Sequence, residues 1–326
     1  MKILVTGAAG FIGYHLSLSL LSSNHRVFGI DNLNTYYDKK LKDLRLRNLK
    51  RSINSKNFLF LNQDIVDQQK LNKLFTKYDF DVVVHLAAQA GVRYSIDSPI
   101  SYVDSNLVGF VNILEAVRSN NIKHFVYASS SSVYGMNMKQ PFSIHDKTDY
   151  PVSLYAATKK SNELMAYSYS HLYKIPTTGL RFFTVYGEYG RPDMAYFKFT
   201  KAILNGDSID VYNNGEMYRD FTYIDDIVNG IELVISKPPE DNKIEAPYRL
   251  FNIGNNHPVS LNEFIRVIEE ACQKKAIKNM LPMQPGDVYK TFADIDDIKK
   301  EIGFQPRTKL SDGIKRFVIW YKETYT

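Results

Sequence analysis

Short runs of apolar residues alternate along the first half of the chain with longer stretches whose apolar residues recur every three or four positions. A short apolar run between turn residues predicts a buried strand, and the longer period predicts a helix with one buried face. The predicted strands are residues 2–6, 26–30, 57–61, 81–85, 124–128 and 177–183. The first predicted helix follows Gly13 and runs to residue 21. Further helices are predicted over residues 68–77, 102–119 and 155–173. This alternation predicts an α/β fold with a doubly wound parallel sheet.

The pattern changes after residue 186. Residues 187–192 are rich in turn formers, a further helix is predicted over residues 196–205, and residues 257–326 predict short helices and loops without a strand rhythm. We therefore expect a sheet domain made of residues 1–186, to which residues 220–256 return with a strand-like segment at 250–253. Residues 187–219 and 257–326 are expected to form a smaller, substrate-binding region.

The first predicted strand leads into a glycine-rich turn, residues 7–13, and the second ends at Asp31. Strand, glycine turn, helix, strand and acid make up the βαβ unit that binds dinucleotides. The glycines let the backbone approach a pyrophosphate, and the helix N-terminus presents free N–H groups and a positive dipole end. Asp31 is placed to bind an adenosine ribose and would repel a 2′-phosphate, which favours NAD over NADP.

Tyr155 and Lys159 lie four residues apart in a predicted helix and therefore share one face. An ammonium group beside a phenol lowers the pKa of the phenol, so the pair can exchange a proton with an alcohol. The spacing alone is weak evidence, because Tyr36 and Lys40 repeat it. Tyr155 is favoured because its helix follows four serines, residues 129–132, at a predicted strand end. Ligands bind in the crevice where the carboxyl ends of parallel strands meet.

Composition narrows the class of protein. The 326 residues are 44% apolar and 23% charged, which is typical of a globular protein. No apolar run is long enough for a transmembrane helix, so we expect no membrane association. The single cysteine, Cys272, fits a reducing compartment, which predicts a cytoplasmic protein. The basic stretch 39–51 is interpreted as a solvated helix face rather than a nucleic-acid site, and the seven histidines show no metal-ligand spacing.

The glycines at positions 7, 10 and 13, with Tyr155 and Lys159, match the signature of the extended short-chain dehydrogenase/reductases, and the chain resembles that superfamily over essentially its whole length. Within it, the chain is most similar to the nucleotide-sugar epimerases, and among these to the UDP-glucuronate 4-epimerase family. The segments that carry the closer resemblance are 31–38 (DNLNTYYD), 85–93 (HLAAQAGVR), 180–187 (LRFFTVYG), 190–195 (GRPDMA), 219–226 (RDFTYIDD) and 283–288 (MQPGDV).

The resemblance implies a Rossmann domain that holds NAD tightly. Tyr155 would act as base and acid on the sugar 4-hydroxyl, and Lys159 would hold the nicotinamide ribose and lower the pKa of Tyr155. Ser130 or Ser132 would bond the reacting oxygen, unless these serines only form the turn that ends the strand. The residues expected around the cofactor are Gly7, Gly10, Phe11, Ile12, Gly13, Asp31, Asn32, Asn34, Asp64, Ile65, Leu86, Ala87, Ala88, Gln89, Asn106, Tyr155 and Lys159.

The resemblance also implies a substrate site. Arg191 is expected to grip a substrate carboxylate by two parallel hydrogen bonds, and Arg93 is a weaker candidate. Arg219 is expected at the UDP pyrophosphate, although an ion pair with Asp225 or Asp226 would explain it equally. The full set of expected substrate-binding residues is Arg93, Ser130, Thr184, Arg191, Arg219 and Asp287.

The activity implied is NAD-dependent 4-epimerisation of a UDP-sugar, with UDP-glucuronate converted to UDP-galacturonate through a 4-keto intermediate. Sugar 4,6-dehydratases and glucuronate decarboxylases are expected to carry a glutamate where this chain has Ser132. Thr184 and Gln284 differ from the residues expected in galactose-type epimerases. The alternatives are a 4-epimerase of UDP-glucose or of a UDP-N-acetylhexosamine or its uronate, a UDP-glucuronate decarboxylase, and a catalytically silent NAD-binding regulator.

A homodimer is expected from the resemblance, through the helices near residues 102–119 and 155–173. The apolar residues that could form this contact, or could equally pack the core, are Leu107, Phe110, Leu114, Leu164 and Tyr167.

Overall fold

A computed structural model describes residues 1–241, 244–283 and 288–326. Within these ranges the chain forms thirteen strands. They are β1 (Lys2–Thr6), β2 (Arg26–Asp31), β3 (Phe58–Asn62), β4 (Val82–His85), β5 (His124–Ser130), β6 (Thr177–Phe182), β7 (Thr184–Tyr186), β8 (Ser208–Tyr212), β9 (Tyr218–Tyr223), β10 (Tyr248–Ile253), β11 (Pro258–Ser260), β12 (Ile277–Leu281) and β13 (Lys290–Thr291).

The same ranges contain twelve α-helices. They are α1 (Phe11–Ser22), α2 (Lys39–Arg51), α3 (Gln68–Lys77), α4 (Tyr94–Asp97), α5 (Pro99–Tyr102), α6 (Gly109–Arg118), α7 (Leu154–Tyr173), α8 (Ala195–Asn205), α9 (Ile224–Ser236), α10 (Leu261–Cys272), α11 (Asp296–Ile302) and α12 (Leu310–Tyr325). A π-helical turn, Val103–Val108, joins α5 to α6. Within the described part of the chain, no helix combines the length and apolar character that crossing a bilayer requires.

Seven strands form one parallel sheet in the order β10-β6-β5-β4-β1-β2-β3. The strand order reverses beside β1, which is the point where doubly wound sheets bind ligands. The six strands predicted for the first half of the chain are present with small shifts at their ends, and the doubly wound fold is confirmed.

Helices cover both faces of this sheet because successive side chains of a strand point to opposite faces. In β1, Ile3 and Val5 join the core that contains α1 and α9, whereas Leu4 joins the core that contains α3 and α6. All three side chains are fully buried. Burial of each contributes about 1.5 to 3 kcal/mol, so the central strand is a rigid base for the residues at its carboxyl end.

The remaining strands lie beside the large sheet. Strand β9 pairs with β7, β11 and β13 in a smaller sheet, and β8 pairs with β12. Residues 220–256, which were expected to return to the large sheet, therefore divide: β10 adds to it, whereas residues 220–223 lie in the smaller sheet. Residues 257–326 also hold longer helices than expected, since α10 has 12 residues and α12 has 16.

The interpretation of residues 39–51 as a solvated helix face holds for most of the basic residues of helix α2 but not for all of them. Two of its basic side chains, Lys42 and Arg45, are buried, with Arg45 at 0% exposure. They lie on the same face as Leu41, Leu46 and Leu49, which pack into the core beside α1. Two of the seven basic side chains of this helix are therefore part of the interior, whereas the other five are exposed: Lys39, Lys40, Arg47, Lys50 and Arg51.

Candidate functional site

A cavity of about 270 Å³ lies at the carboxyl ends of the central strands. It extends from the turn after β1 to the loop after β7. Its lining includes the predicted residues Gly7, Gly10, Phe11, Ile12, Gly13, Asp31, Asn32, Asn34, Asp64, Ile65, Leu86, Ala87, Ala88, Gln89, Ser130, Tyr155, Lys159 and Arg191. The fold thus brings together residues from positions 7 to 191 in one site.

The glycine turn at one end of the cavity has no space for side chains. Gly7 has φ +71°, and a Cβ on Gly13 would lie 2.1 Å from the Gly7 carbonyl oxygen. Helix α1 begins directly after Gly10, without a side-chain cap and without an acidic residue in its first turn. Its N-terminal N–H groups and dipole therefore face the cavity, and the turn fits a dinucleotide pyrophosphate.

The carboxylate of Asp31 is fixed at the end of β2. Its oxygens accept the N–H groups of Ala9 (3.2 Å) and Leu33 (2.8 Å), and Lys42 Nζ lies 3.8 Å away. Lys42 Nζ also donates to the Asn34 backbone and side-chain oxygens, at 3.0 and 2.9 Å. This cluster presents a carboxylate acceptor and an ammonium donor together, which suits a ribose with two hydroxyl groups.

The segment after β4 is held in place from two sides. Ala87 N–H donates to Thr6 Oγ1 at 3.1 Å. Asn106, in the π-helical turn, accepts the Gln89 N–H at 2.8 Å and donates to the Gln89 carbonyl at 3.0 Å. Asn106 was predicted to touch the cofactor, but within the described residues it is buried behind Gln89 rather than part of the cavity lining. Its contacts are those of a residue that positions the loop.

Tyr155 and Lys159 both lie in α7 and both line the cavity. The helix begins after Ser153, whose hydroxyl accepts the Ala156 N–H at 3.1 Å and so fixes the first turn. Lys159 Nζ donates to the Ala128 carbonyl at 2.8 Å. Tyr36 precedes the start of α2 at Lys39, so the alternative pair, Tyr36 and Lys40, does not share a helix face.

The pKa values of Tyr155 and Lys159, the candidate catalytic pair, differ in part from the expectation that Lys159 lowers the pKa of Tyr155. Burial lowers the pKa of Lys159 to about 8. Burial also raises the pKa of Tyr155, while a hydrogen bond with Ser130 and the charge of Arg191 lower it. In the protein alone, desolvation is the larger effect on Tyr155. The positive nicotinamide ring that the resemblance implies would act in the opposite direction.

The two candidate serines occupy different positions. Ser130 ends β5, lines the cavity and accepts the Ser132 N–H at 3.1 Å. Ser132 lies in the short 3₁₀ turn Ser131–Tyr134 and, within the described residues, is not part of the lining. This geometry favours Ser130 as the partner of Tyr155.

Behind Ser130, the hydroxyl of Ser129 donates to Glu163 at 2.7 Å. Glu163 follows Lys159 by one turn of α7 and is paired with Arg181 of β6. Arg181 in turn donates to the Tyr134 hydroxyl at 3.0 Å, which donates to Asn252 at 2.6 Å. This buried network connects α7 to β5, to the turn after it, to β6 and to β10, and so fixes the helix that carries Tyr155 and Lys159.

At the other end of the cavity, Arg191 is engaged by an acid of its own loop. Its Nε donates to Asp193 Oδ1 at 3.0 Å, and its Nη2 donates to Asp193 Oδ2 at 2.5 Å. Tyr36 donates to the same Asp193 Oδ2 at 3.1 Å. The Arg191 guanidinium, which was expected to bind a substrate carboxylate, thus already binds the carboxylate of Asp193.

Three other predicted substrate residues lie outside the cavity lining among the described residues. The Arg93 guanidinium lies over the Tyr212 ring, 5.9 Å from its centroid. Thr184 begins β7 opposite Phe221. Arg219 Nη1 donates to the Tyr218 carbonyl at 2.9 Å.

The two acids proposed as ion partners of Arg219 have other contacts. Asp225 pairs with Arg316 at 3.4 Å, and Asp226 accepts the backbone N–H groups of Arg307 and Thr308. Asp287, expected near the uridine ribose, lies outside the described residues.

Several residues of the site were not predicted. Tyr36 and Lys42 line the cavity, and Asp193 holds Arg191. Tyr36 and Asp193 both belong to segments that were matched to the family, so a role for them could have been sought there. Lys42 could have been found from its spacing with Leu46 and Leu49 on one helix face.

Chemically, the cavity combines a cradle for a pyrophosphate with a phenol, an ammonium group and a hydroxyl at its centre. Phenol and hydroxyl groups suit proton transfer to and from an alcohol. Arg191, with Tyr36 beside it, adds recognition of an anionic group. Within the described residues, no cluster of three or more histidine, cysteine, aspartate or glutamate side chains could hold a metal ion.

Comparison with known proteins gives consistent similarities. Residues 4–317 match the protein family described as GDP-mannose 4,6 dehydratase. Protein CapI of Staphylococcus aureus is 55% identical over 100% of this chain and 99% of that protein. The probable UDP-glucuronate 4-epimerase of Rhizobium meliloti is 48% identical over 100% of this chain and 98% of that protein.

Among solved structures, the UDP-glucuronic acid 4-epimerase of Bacillus cereus, crystallised with UDP-glucuronic acid and NAD, superimposes with a TM-score of 0.91. Its sequence is 36% identical, and the match covers 100% of both chains.

Proposed function

The chain belongs to the extended short-chain dehydrogenase/reductases, in the family described as GDP-mannose 4,6 dehydratase, and from this membership we propose that it is an NAD-dependent UDP-glucuronate 4-epimerase. The observation that carries the proposal is the placement of Tyr155 and Arg191 in one cavity with the glycine turn. A proton-transfer group and a carboxylate-binding group therefore flank the same space.

Ser132 supports epimerisation over dehydration within this family. A dehydratase needs a further acid or base close to the reacting carbon. Here Ser132 occupies the position before Val133 and Tyr134, and Ser131 precedes it. A hydroxyl group is a poor acid and base at neutral pH, so the site is suited to oxidation and reduction at one carbon without elimination.

In the proposed mechanism, Tyr155 removes the proton of the sugar 4-hydroxyl and later returns it to the same oxygen. In the protein alone, the Ser130 hydroxyl donates to Tyr155 and favours its phenolate. With a sugar bound, the same O–H would donate to the 4-oxygen instead. The bound NAD supplies the acceptor and then the donor of the C4 hydride, so there is no net redox change. Gly7, Gly13, Asp31 and the N-terminus of α1 would hold it.

The configuration at C4 is inverted when the 4-keto sugar turns within the cavity and presents its opposite face. The 4-keto uronate is a β-keto acid, which can lose carbon dioxide. Arg191 therefore has two tasks: it binds the carboxylate, and it must still let the sugar turn.

The experiment is incubation of the purified protein with UDP-glucuronate, followed by proton NMR of the sugar. We expect UDP-galacturonate to appear without net accumulation of NADH. Conversion of UDP-glucose or a UDP-N-acetylhexosamine instead would assign a different 4-epimerase. A pentose product with release of carbon dioxide would show that the protein is a UDP-glucuronate decarboxylase. No reaction with any of these sugars would favour a catalytically silent NAD-binding regulator.

We further propose that the protein is a homodimer. Of the apolar residues considered for this contact, Phe110 and Leu114 are buried in the core, whereas Leu164 and Tyr167 are exposed. Ile100 and Val108, on the helical segment that packs beside α7, are exposed too. Light scattering of the wild type and of Leu164→Glu would test this contact.

We also propose a cytoplasmic location. The proposal is supported by the single cysteine, Cys272, which is buried and forms no disulfide.

A further inference from the structure

The pair formed by Arg191 and Asp193 leaves part of the guanidinium available. A guanidinium carries five N–H groups in one plane, and a carboxylate can bind to either of two adjacent edges. Asp193 takes the edge made by Nε and Nη2. Among the described residues, the hydrogen bonds to Asp193 use only Nε and one N–H of Nη2. The outer edge, made by Nη1 and the second N–H of Nη2, has the geometry to receive a second carboxylate while the first stays bound.

Asp193 is itself fixed on a second side. Tyr36 donates to it, and the Tyr36 ring packs against the Tyr94 ring with 4.9 Å between centroids. Tyr36 also lies under the Arg191 guanidinium, 5.9 Å from its centre. Arg191 lines the cavity, whereas Asp193, within the described residues, does not. The acid thus lies behind the arginine, away from the space where a sugar would lie.

The negative charge of Asp193 weakens the electrostatic attraction that Arg191 exerts on an incoming anion. Arg191 and Asp193 together carry no net charge, and the pair is only partly exposed, so solvent screens it weakly. A sugar carboxylate is recognised by the geometry of the outer edge, but it experiences a weaker attraction than an isolated guanidinium would exert. Binding that is equally strong in every step does not accelerate turnover, and a carboxylate held too strongly would keep the sugar in one orientation.

We propose that Asp193 is a positioning and specificity residue of the epimerase site. It orients Arg191 so that the outer edge of the guanidinium recognises the C6 carboxylate of a uronate, and it weakens that attraction enough for the sugar to turn. The inference rests on the proposed function, because it concerns the carboxylate of the same substrate.

The test is Asp193→Asn, which keeps the size of the side chain and one oxygen acceptor but removes its charge. Calorimetry would give the affinities of the wild type and the variant for UDP-glucuronate and for UDP-glucose, which lacks the carboxylate. We expect about 5- to 10-fold tighter binding of UDP-glucuronate by the variant, with UDP-glucose unchanged within about twofold. We expect kcat with UDP-glucuronate to fall by a similar factor while KM also falls.

Tyr36→Phe is the matched control for damage to the loop, because it removes one hydrogen bond of Asp193 and leaves every charge in place. It should keep the ratio of the two affinities within about twofold of the wild type. Equal changes for both ligands in Asp193→Asn, or weaker binding of UDP-glucuronate, would overturn the proposal and leave Asp193 with a structural role in its loop.

The two proposals can fail separately. If the wild-type protein epimerises another UDP-sugar, the proposed function fails, and the affinity ratio for the two ligands still measures the effect of Asp193 on the carboxylate. If the wild type converts UDP-glucuronate and the ratio does not change in Asp193→Asn, only the role of Asp193 fails.

Discussion

Both oxygens of the buried Glu163 carboxylate accept a hydrogen bond from the Arg181 guanidinium, each at 2.8 Å. This pair joins α7, the helix that carries Tyr155, to strand β6. Neither side chain is more than 3% exposed. Removing one member of such a pair leaves the other charge buried without compensation, which costs about 3 to 5 kcal/mol.

We therefore expect Glu163→Gln to lower the free energy of unfolding by about 3 to 5 kcal/mol. Chemical denaturation would measure this loss. Glu270→Gln is the matched control, because Glu270 pairs with Arg266 on the surface and its loss should cost less than about 1 kcal/mol. Equal losses in the two variants would contradict a structural role for the buried pair.

Tyr155→Phe should reduce turnover by a factor of about 10³ or more, because the ring remains but no group can take the 4-hydroxyl proton. Product formation followed by NMR would measure this. Tyr150→Phe, at a tyrosine that is 84% exposed, should retain full activity. Near-wild-type turnover by Tyr155→Phe would refute the proposed mechanism.

Ser130→Ala should move the pH profile of kcat. The hydrogen bond with Ser130 lowers the pKa of Tyr155, so its removal should shift the acidic limb of the profile to higher pH. We also expect kcat at neutral pH to fall by a factor of about 10 to 100. Ser132→Ala, outside the cavity lining, should leave the acidic limb where it is. The reverse result would assign the role to Ser132.

Arg191→Ala should mainly weaken binding of the acidic substrate. A charge-assisted, paired contact contributes about 1.5 to 3 kcal/mol, which corresponds to a rise in KM of roughly 10- to 150-fold. Binding of UDP-glucose should change little, because it has no carboxylate. Comparable losses for the two sugars would show that the substitution disturbs the loop as a whole.

Arg45→Met should both destabilise the protein and weaken retention of NAD. Among the described residues, Arg45 makes five hydrogen bonds, all to neutral oxygens: one to Ala9 in the glycine turn, one to Tyr37 and three to the carbonyls of Tyr189 and Gly190. Without it, buried carbonyl groups lose their donor, at a cost of about 2 to 4 kcal/mol.

The measurements for Arg45→Met are the melting temperature and the amount of NAD that copurifies with the protein. Arg47→Met, exposed on the same helix, is the control and should change neither. A variant that is less stable but retains NAD normally would show that the bonds of Arg45 to the glycine turn and to the Tyr189 loop do not affect NAD binding.

The features predicted from sequence are those that depend on neighbouring residues. The strands, the glycine turn, Asp31 and the pairing of Tyr155 with Lys159 on one helix face follow from local periodicity and spacing. The convergence of these residues in one cavity follows from the parallel sheet, because the carboxyl ends of its strands meet at one edge. The shared cavity is thus a consequence of fold class.

The features that could not be predicted depend on contacts between distant segments. Tyr36 meets Asp193 across 157 residues, and Arg45 meets Tyr189 across 144. Charge in α2 suggested a solvated helix, but the apolar spacing of Leu41, Leu46 and Leu49 turns Lys42 and Arg45 inward. A buried cation can be identified only when its acceptors are known, and those acceptors belong to other parts of the chain.

The distance in sequence between Arg45 and its acceptors has a consequence for how the protein is made. At ribosomal rates of about 5 to 20 residues per second, roughly 7 to 29 seconds pass between synthesis of Arg45 and synthesis of Tyr189. During that time the guanidinium has only Ala9 and Tyr37 of its final partners, so its face of α2 must remain hydrated. The amino-terminal βαβ unit of the nascent chain therefore keeps an open side until the segment around Tyr189 emerges and closes it.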